Sequence, residues 1–299
     1  MALIECVPNV SEGRRPDVIR QIADVVRAVS SVRFLDCSSD WSHHRSVLTF
    51  VGDGRALKEA VVALFESSVA RIDLRTHSGE HPRLGAVDVV PFVPLRDVSI
   101  EECVTLARDT ASEVADRFDI PMFLYEEASS HPGRTRLEDI RRGGLEGLTA
   151  RMRTPEWAPD YGPSSPHPTA GVTVIGARRV LIAYNVNLAT NRIDVARTVA
   201  AAVRFSSGGL PHVKAMGVVL GDRDIVQVSM NLTHYEQTSV QRAFEAVTHE
   251  AQRLGVDVLE SEIVGLVPEA ALAGVDPADL KLTGFTPQQV LETRLRDTA

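Results

Sequence analysis

The sequence predicts an α/β chain of the α+β type, built as two tandem subdomains. Each is read as a sheet of split β-α-β units with helices on one face. Three observations carry this: a recurring β-α-β-β-α-β order, helices whose apolar residues repeat at helical spacing, and a proline-rich stretch between the two halves. At 299 residues, with 44% apolar and 24% charged residues, the chain supports an ordinary hydrophobic core rather than disorder.

In the first half, residues 3–7 (L-I-E-C-V) read as a strand. A helix follows from Pro16 to Val29, with Ile19, Ile22, Ala23 and Val26 on one face. Short apolar runs at Val32–Cys37 and Ser46–Val51 read as strands, and a helix spans Ala56 to about Ile72. Val87–Val93 is a valine-rich strand in which Pro91 suggests an edge position or a bulge near its end. A helix near Ile100–Arg117 and a strand at Met122–Tyr125 come next. Residues 155–171 contain five prolines and exclude a regular helix or a central strand. The boundary falls beyond them, giving subdomains 1–178 and 179–299.

In the second half, a strand (Val180–Val186), a helix (Ile193–Phe205), two strands (Val213–Leu220 and Ile225–Leu232), a helix (Ser239–Leu254) and a strand (Val256–Ile263) repeat the order. A last helix near Thr286–Leu295 has Thr286 as its cap and Pro287 in its first turn.

A net charge of −8 argues against nucleic acid or an anionic membrane as partner, but leaves room for a small anionic ligand in a local basic pocket. Cys6, Cys37 and Cys103 lie far apart with no metal-knuckle spacing, which fits a reducing compartment. No secretory leader pattern and no run of 18 apolar residues is present, so a cytoplasmic location is expected.

Chemistry concentrates between Arg71 and Leu95, where two histidines, three acids and three arginines surround a glycine-proline turn. His77 and His81 in H-S-G-E-H match the H-x-x-E-H zinc-peptidase pattern. That pattern needs a helix, and Gly79 and Pro82 argue for a turn. No metal is therefore expected, although a metal-dependent hydrolase using His77 and His81 stands as an alternative. In a loop, His81 is better read as a general acid/base, with Glu80 or Asp88 orienting its ring and Arg83 gripping a carboxylate.

The polar link Asp36–Arg45 is longer than a hairpin needs and is a second candidate binding element. A third is Gly162-Pro163-Ser164-Ser165-Pro166-His167-Pro168-Thr169-Ala170-Gly171. It would form a stiff wall of a ligand site between the subdomains, or simply connect them. Asn185 and Asn187 share one strand face and, with Asn231, could converge on a polar ligand. The basic run Arg134, Arg136, Arg141, Arg142, Arg151 and Arg153 reads as a solvated helical surface, or more sharply as a guide for an anionic substrate.

Motifs spread along the chain resemble the formiminotransferase family. They are E-C-V-P-N-V-S-E-G-R (Glu5–Arg14), R-S-V-L-T-F-V-G (Arg45–Gly52), G-E-H-P-R-L-G-A-V-D-V-V-P-F-V-P (Gly79–Pro94), E-W-A-P-D-Y-G-P-S-S (Glu156–Ser165), Y-N-V-N-L (Tyr184–Leu188) and V-S-M-N-L (Val228–Leu232). The resemblance implies a monofunctional, homodimeric transferase with two α/β subdomains and the ligand between them. It implies transfer of a formimino group from N-formimino-L-glutamate to the co-substrate tetrahydrofolate, as in histidine degradation. It maps the catalytic histidine to His81 and the folate segment to Gly162–Gly171. Arg45 and Arg83 would suit substrate carboxylates.

Two departures stand out. His44 replaces a frequent Asn, and His234 replaces an acidic or amide residue. In the D-x-D form of some relatives the second acid falls at Ser38, so Asp40 would take its place beside His81. A folate-binding protein without turnover is the non-enzyme alternative.

Overall fold

Residues 2–41, 43–79, 83–221 and 223–298 are described by a computed structural model and divide into two units, Met1–Arg178 and Arg179–Ala299. In the first, strands β1 (Leu3–Cys6) and β2 (Asn9–Val10) act as one interrupted strand, since both lie between β4 (Arg45–Gly52) and β5 (Val87–Arg96). Strand β3 (Arg33–Asp40) extends the β4 side. On the other side β7 (Thr173–Ala177) and β6 (Met122–Glu126) add in parallel to β5.

Helices α1 (Pro16–Arg27), α2 (Gly54–Val69) and α3 (Ile100–Phe118) form where the apolar spacing predicts them. In α1, Val18, Ile19, Ile22, Ala23 and Val26 are buried. Asp53 caps α2 by accepting from the Ala56 N–H, and Ser99 and Glu102 form a capping box on α3. Their apolar faces pack on one side of the sheet against fully buried Phe50, Leu48 and Phe92, each side chain contributing about 1.5–3 kcal/mol.

The parallel β5–β7–β6 region is covered on its second face too. There α4 (Leu137–Arg141) and α5 (Gly144–Arg151) bring Ile140 and Leu148 against Val89, Phe123, Tyr125 and Val174. Parallel strands are normally buried on both faces, and this layer adds to the one-faced pattern.

It also corrects half of the basic run read as a solvated surface: Arg136, Arg142 and Arg153 are exposed, but the other three are not. Arg134 is buried and pairs with Asp160, Arg141 pairs with buried Asp88, and Arg151 donates to the carbonyl oxygens of Asp139, Ile140 and Arg142.

Strand β5 is interior, not an edge. Pro91 is accommodated because the break between β1 and β2 lies opposite it, where its missing N–H would have faced a partner. The register shifts between Leu3 and Ile4 opposite the end of β5, and again between Asn9 and Val10 opposite its start.

The second unit holds a four-stranded antiparallel sheet in the order β11 (Val258–Val264), β8 (Ile182–Leu188), β10 (Ile225–Leu232), β9 (Val213–Leu220). Helices α6 (Ile193–Val203) and α7 (Val240–Arg253) pack on one face against Tyr184, Val186, Val228 and Met230. The single terminal helix expected from Thr286 is split. A capped turn at Pro287–Gln289 precedes α8 (Leu291–Asp297), because backbone bonds to Val267 on both sides of Val290 hold that residue extended.

Gly171 tests how tightly the chain leading into β7 is fixed. Its φ is +70°, and a Cβ there would stand 2.3 Å from the Leu84 carbonyl oxygen. Gly171→Ala should lower the unfolding free energy by at least about 1–3 kcal/mol, read by urea denaturation.

Candidate active site

The chain leaving β2 carries the first buried charge of this region. Glu12 is buried. Its Oε1 accepts the backbone N–H groups of Arg14 (2.9 Å) and Arg15 (3.0 Å), while Oε2 accepts from Arg15 Nε at 2.6 Å. It thus fixes the two residues that lead into α1, beside the positive end of the helix. Burial alone pushes the Glu12 carboxyl up, but these N–H donors and the guanidinium outweigh it and hold the group below the usual carboxylate range.

His44, at φ +52°, reaches the same carboxylate with Nε2 3.1 Å from Oε1. Its Nδ1 lies 3.0 Å from the Ser78 carbonyl oxygen. In return, His77 Nε2 lies 3.0 Å from the His44 carbonyl oxygen, and the two rings stack at 4.0 Å and 9°. A carbonyl only accepts, so His77 donates through Nε2; its buried Nδ1 has no partner among the described residues. Burial, with His44 and Arg83 close by, holds the His77 imidazole below its ordinary value.

Two motif glycines fit against the same hairpin end. A Cβ on Gly79 would meet the His43 carbonyl oxygen at 2.6 Å, and one on Gly13 the Asp40 carbonyl oxygen at 2.3 Å.

A second knot of charge forms at the start of β5. Val10 pairs with Val87 and Asn9 with Val89, so Asp88 is the extra residue of a bulge that redirects its side chain. Its Oδ1 accepts the Leu84 N–H at 2.6 Å and its Oδ2 takes Arg141 Nη2. Arg45 feels this pair from the start of β4. Its guanidinium is pushed down by burial and by Arg141, against the pull of Asp88 and Asp40.

Arg83 donates from Nη2 to the His77 carbonyl oxygen at 2.9 Å, and its buried Nε has no partner among the described residues. Asp40 accepts the His43 N–H at 2.7 Å and lies 2.8 Å from His43 Nδ1.

The end of the segment from Gly162 to Gly171 is tied by backbone bonds to the chain on either side of the G-E-H-P-R motif. Leu74 N–H donates to Thr169, Ala86 N–H to Ala170, and Val172 N–H to Leu84, each at 2.9 Å. His167 pairs with Gly171, and its Nδ1 accepts from Ala170 at 3.0 Å, closing a tight loop. Gly162 takes φ +83°, where a Cβ would lie 2.6 Å from the Ile120 carbonyl oxygen. Ser164, Ser165 and Pro168 are exposed along it, while Pro163, Pro166 and Thr169 are half-buried.

The formiminotransferase domain's N-terminal subdomain matches residues 3–178, and the formiminotransferase domain matches residues 183–279. A glutamate formimidoyltransferase of Streptococcus pyogenes serotype M1 is 44% identical over 98% of both chains. One of Thermoplasma acidophilum is 46% identical over 100% of this chain and 99% of its own. The chain belongs to the formiminotransferase family. It also matches the formimidoyltransferase-cyclodeaminase of Rattus norvegicus at 40% identity, over 90% of this chain and 51% of that protein.

Within this family member, Arg45, Asp40, Arg83 and Gly162–Gly171 all lie in the first unit, and Thr169 and Ala170 bond to Leu74 and Ala86 on either side of the G-E-H-P-R motif. Glu80 and His81 themselves lie outside the described residues. Asp88, an alternative ring-orienting acid, is instead held by Arg141 and Leu84.

Asn185 and Asn187 stand on the second unit's sheet face away from α6 and α7. They donate to Glu262 and Glu260, both at 2.9 Å, and Asn231 is exposed on β10. Their amides are thus engaged with neighbouring carboxylates, which a reading of strand alternation alone does not reveal.

The roles of Glu12 and of the His44–His77 stack also escape a reading of single motifs. A visible signal was an acid just ahead of a helix that opens with proline.

His44→Ala should cost about 1–3 kcal/mol of unfolding free energy, since it strips partners from Ser78 and Glu12. Because Glu12 ionises below its unfolded range of about 4, its contribution is present above that pH and lost as pH falls through the folded value. Glu12→Gln should therefore lower stability at pH 7 and flatten the acid limb of a melting-temperature profile.

Proposed function

We propose that this chain transfers the formimino group of N-formimino-L-glutamate to N5 of tetrahydrofolate, releasing L-glutamate and 5-formiminotetrahydrofolate. The observation that carries this is similarity to two glutamate formimidoyltransferases along the whole chain, not over an isolated motif. The attacking N5 must lose a proton as it bonds to the formimino carbon, and the departing glutamate nitrogen must gain one. His81, in an intact G-E-H-P-R motif, is the proposed shuttle for both. Arg83 and Arg45 are the proposed carboxylate ligands, Asp40 and Glu80 the groups that tune the shuttle, and Gly162–Gly171 the folate segment.

Asn185, Asn187 and Asn231 are proposed ligand contacts from the second unit. The proposed setting is histidine breakdown in the cytoplasm, with the protein acting as a homodimer. Among the described residues no helix is long and apolar enough to cross a membrane.

The test is a chelated, metal-free assay with formiminoglutamate and tetrahydrofolate, following the absorbance of acid-formed methenyltetrahydrofolate. His81→Ala should bind tetrahydrofolate yet lose at least ~100-fold in turnover. Near-normal turnover would remove His81 from the chemistry. Activity that disappears on chelation would favour the hydrolase alternative, and bound folate without product a pure binding protein. Substituting Arg83 should raise the KM for formiminoglutamate more than that for tetrahydrofolate.

A further inference from the structure

We infer that Arg141, set beside Arg45 around the bulged Asp88, is a specificity-determining ligand for one carboxylate of the formimino donor. This rests on the transfer reading above and extends the site to a residue of α4.

The bulge is the first part of the argument. A strand in simple register would not leave Asp88 unpaired at the head of β5. The extra residue turns its carboxylate toward Leu84 and Arg141, immediately after the motif loop. Such an acid is well placed to hold an arginine in one orientation.

The second part is the arginine's own inventory. A guanidinium has five N–H donors in a planar fork. Arg141 gives Nη2 to Asp88, and no other hydrogen bond of its guanidinium is seen among the described residues; its Nε is buried and unpartnered there. Its side chain is only 14% exposed, so water satisfies little of the remainder. A solvent-facing surface arginine, as the sequence alone suggested, would not be anchored by a carboxylate that is itself 2% exposed.

The third part is its company. Burial and the nearby Arg141 charge push the Arg45 guanidinium down, against the pull of Asp88 and Asp40, so the two guanidinium groups repel where burial already disfavours charge. Arg83, next to Leu84 in the chain, supplies another guanidinium of the first unit, its buried Nε likewise without a partner among the described residues. An entering carboxylate would relieve that repulsion and engage a planar fork bidentately, which an ammonium cannot do.

The proposed donor carries two carboxylates, and two of these arginines are already assigned to it. Tetrahydrofolate carries its carboxylates on a glutamate tail remote from N5. We therefore assign the Arg141 subsite to the donor and make the folate tail an outcome of the test.

The experiment compares wild type, Arg141→Gln and Arg141→Lys by calorimetric binding of L-glutamate and by KM for each substrate, with thermal melting as a check on folding. Lysine keeps a cation for Asp88 but lacks the fork, so it separates holding Asp88 from gripping a ligand. Expected is a rise of ~10-fold or more in both the L-glutamate Kd and the formiminoglutamate KM for both variants. The tetrahydrofolate KM should stay within about twofold, and Arg141→Lys should melt close to wild type.

Unchanged L-glutamate affinity in a folded variant overturns the inference, as does a loss confined to tetrahydrofolate. Full recovery of affinity by lysine also overturns it, since the residue would then merely hold Asp88. Wild type that binds L-glutamate in an Arg141-dependent way without transferring a formimino group would sink the transfer reading and leave the subsite standing.

Discussion

The buried carboxylate of Glu12 is the constraint on which the first unit's functional end depends. An acid removed from water is costly unless its oxygens are fully engaged, and here the ligands come from the adjoining Arg14 and Arg15 and from the distant His44. Arg14 and Arg15 fix the start of α1, and His44 fixes the end of the β3–β4 hairpin. Through the stacked rings of His44 and His77, the same carboxylate reaches the chain that runs into the G-E-H-P-R motif. Three segments distant in sequence are thereby held in one arrangement.

The charged groups fall into two classes once partners are known. Glu12 and Asp160 are structural, each held by arginine and backbone donors deep in the first unit. Arg45 and Arg141 instead share the field of Asp88, and Arg83 holds the His77 carbonyl oxygen. On the second unit, Asn185, Asn187, Glu260 and Glu262 form a mutually satisfied ladder of amides and acids across β8 and β11.

Much of the architecture was legible because it rests on local rules. Helical apolar spacing located α1, α2, α3, α6 and α7, and the recurring β-α-β-β-α-β order located β8 to β11. Strand β7 was passed over because it follows a stretch that looks like pure connector. Its identity depends on fitting between two strands, with Gly176 packed where a Cβ would meet the Tyr125 carbonyl oxygen at 2.3 Å. Pro91 misled for a related reason. A proline excludes a ladder bond, but a break in the partner strand removes the need for one. At the site, motifs drew attention to the right segment, whereas partners such as Glu12 for His44 or Arg141 for Asp88 are matters of folded distance. Sequences separated by 32 or 53 positions give no sign of such contacts.

The proline-rich stretch has a consequence for how this protein can be divided. It resembles a hinge in composition, yet its final third is knitted into the sheet that follows it and ends in β7. Cutting there would remove the strand between β5 and β6 and bare two long hydrogen-bonding edges, the kind of surface that recruits foreign strands. The serviceable seam lies after Arg178, where the first sheet is complete. In this chain the stiffest-looking connector is masonry, and the joint is the unremarkable residue pair beyond it.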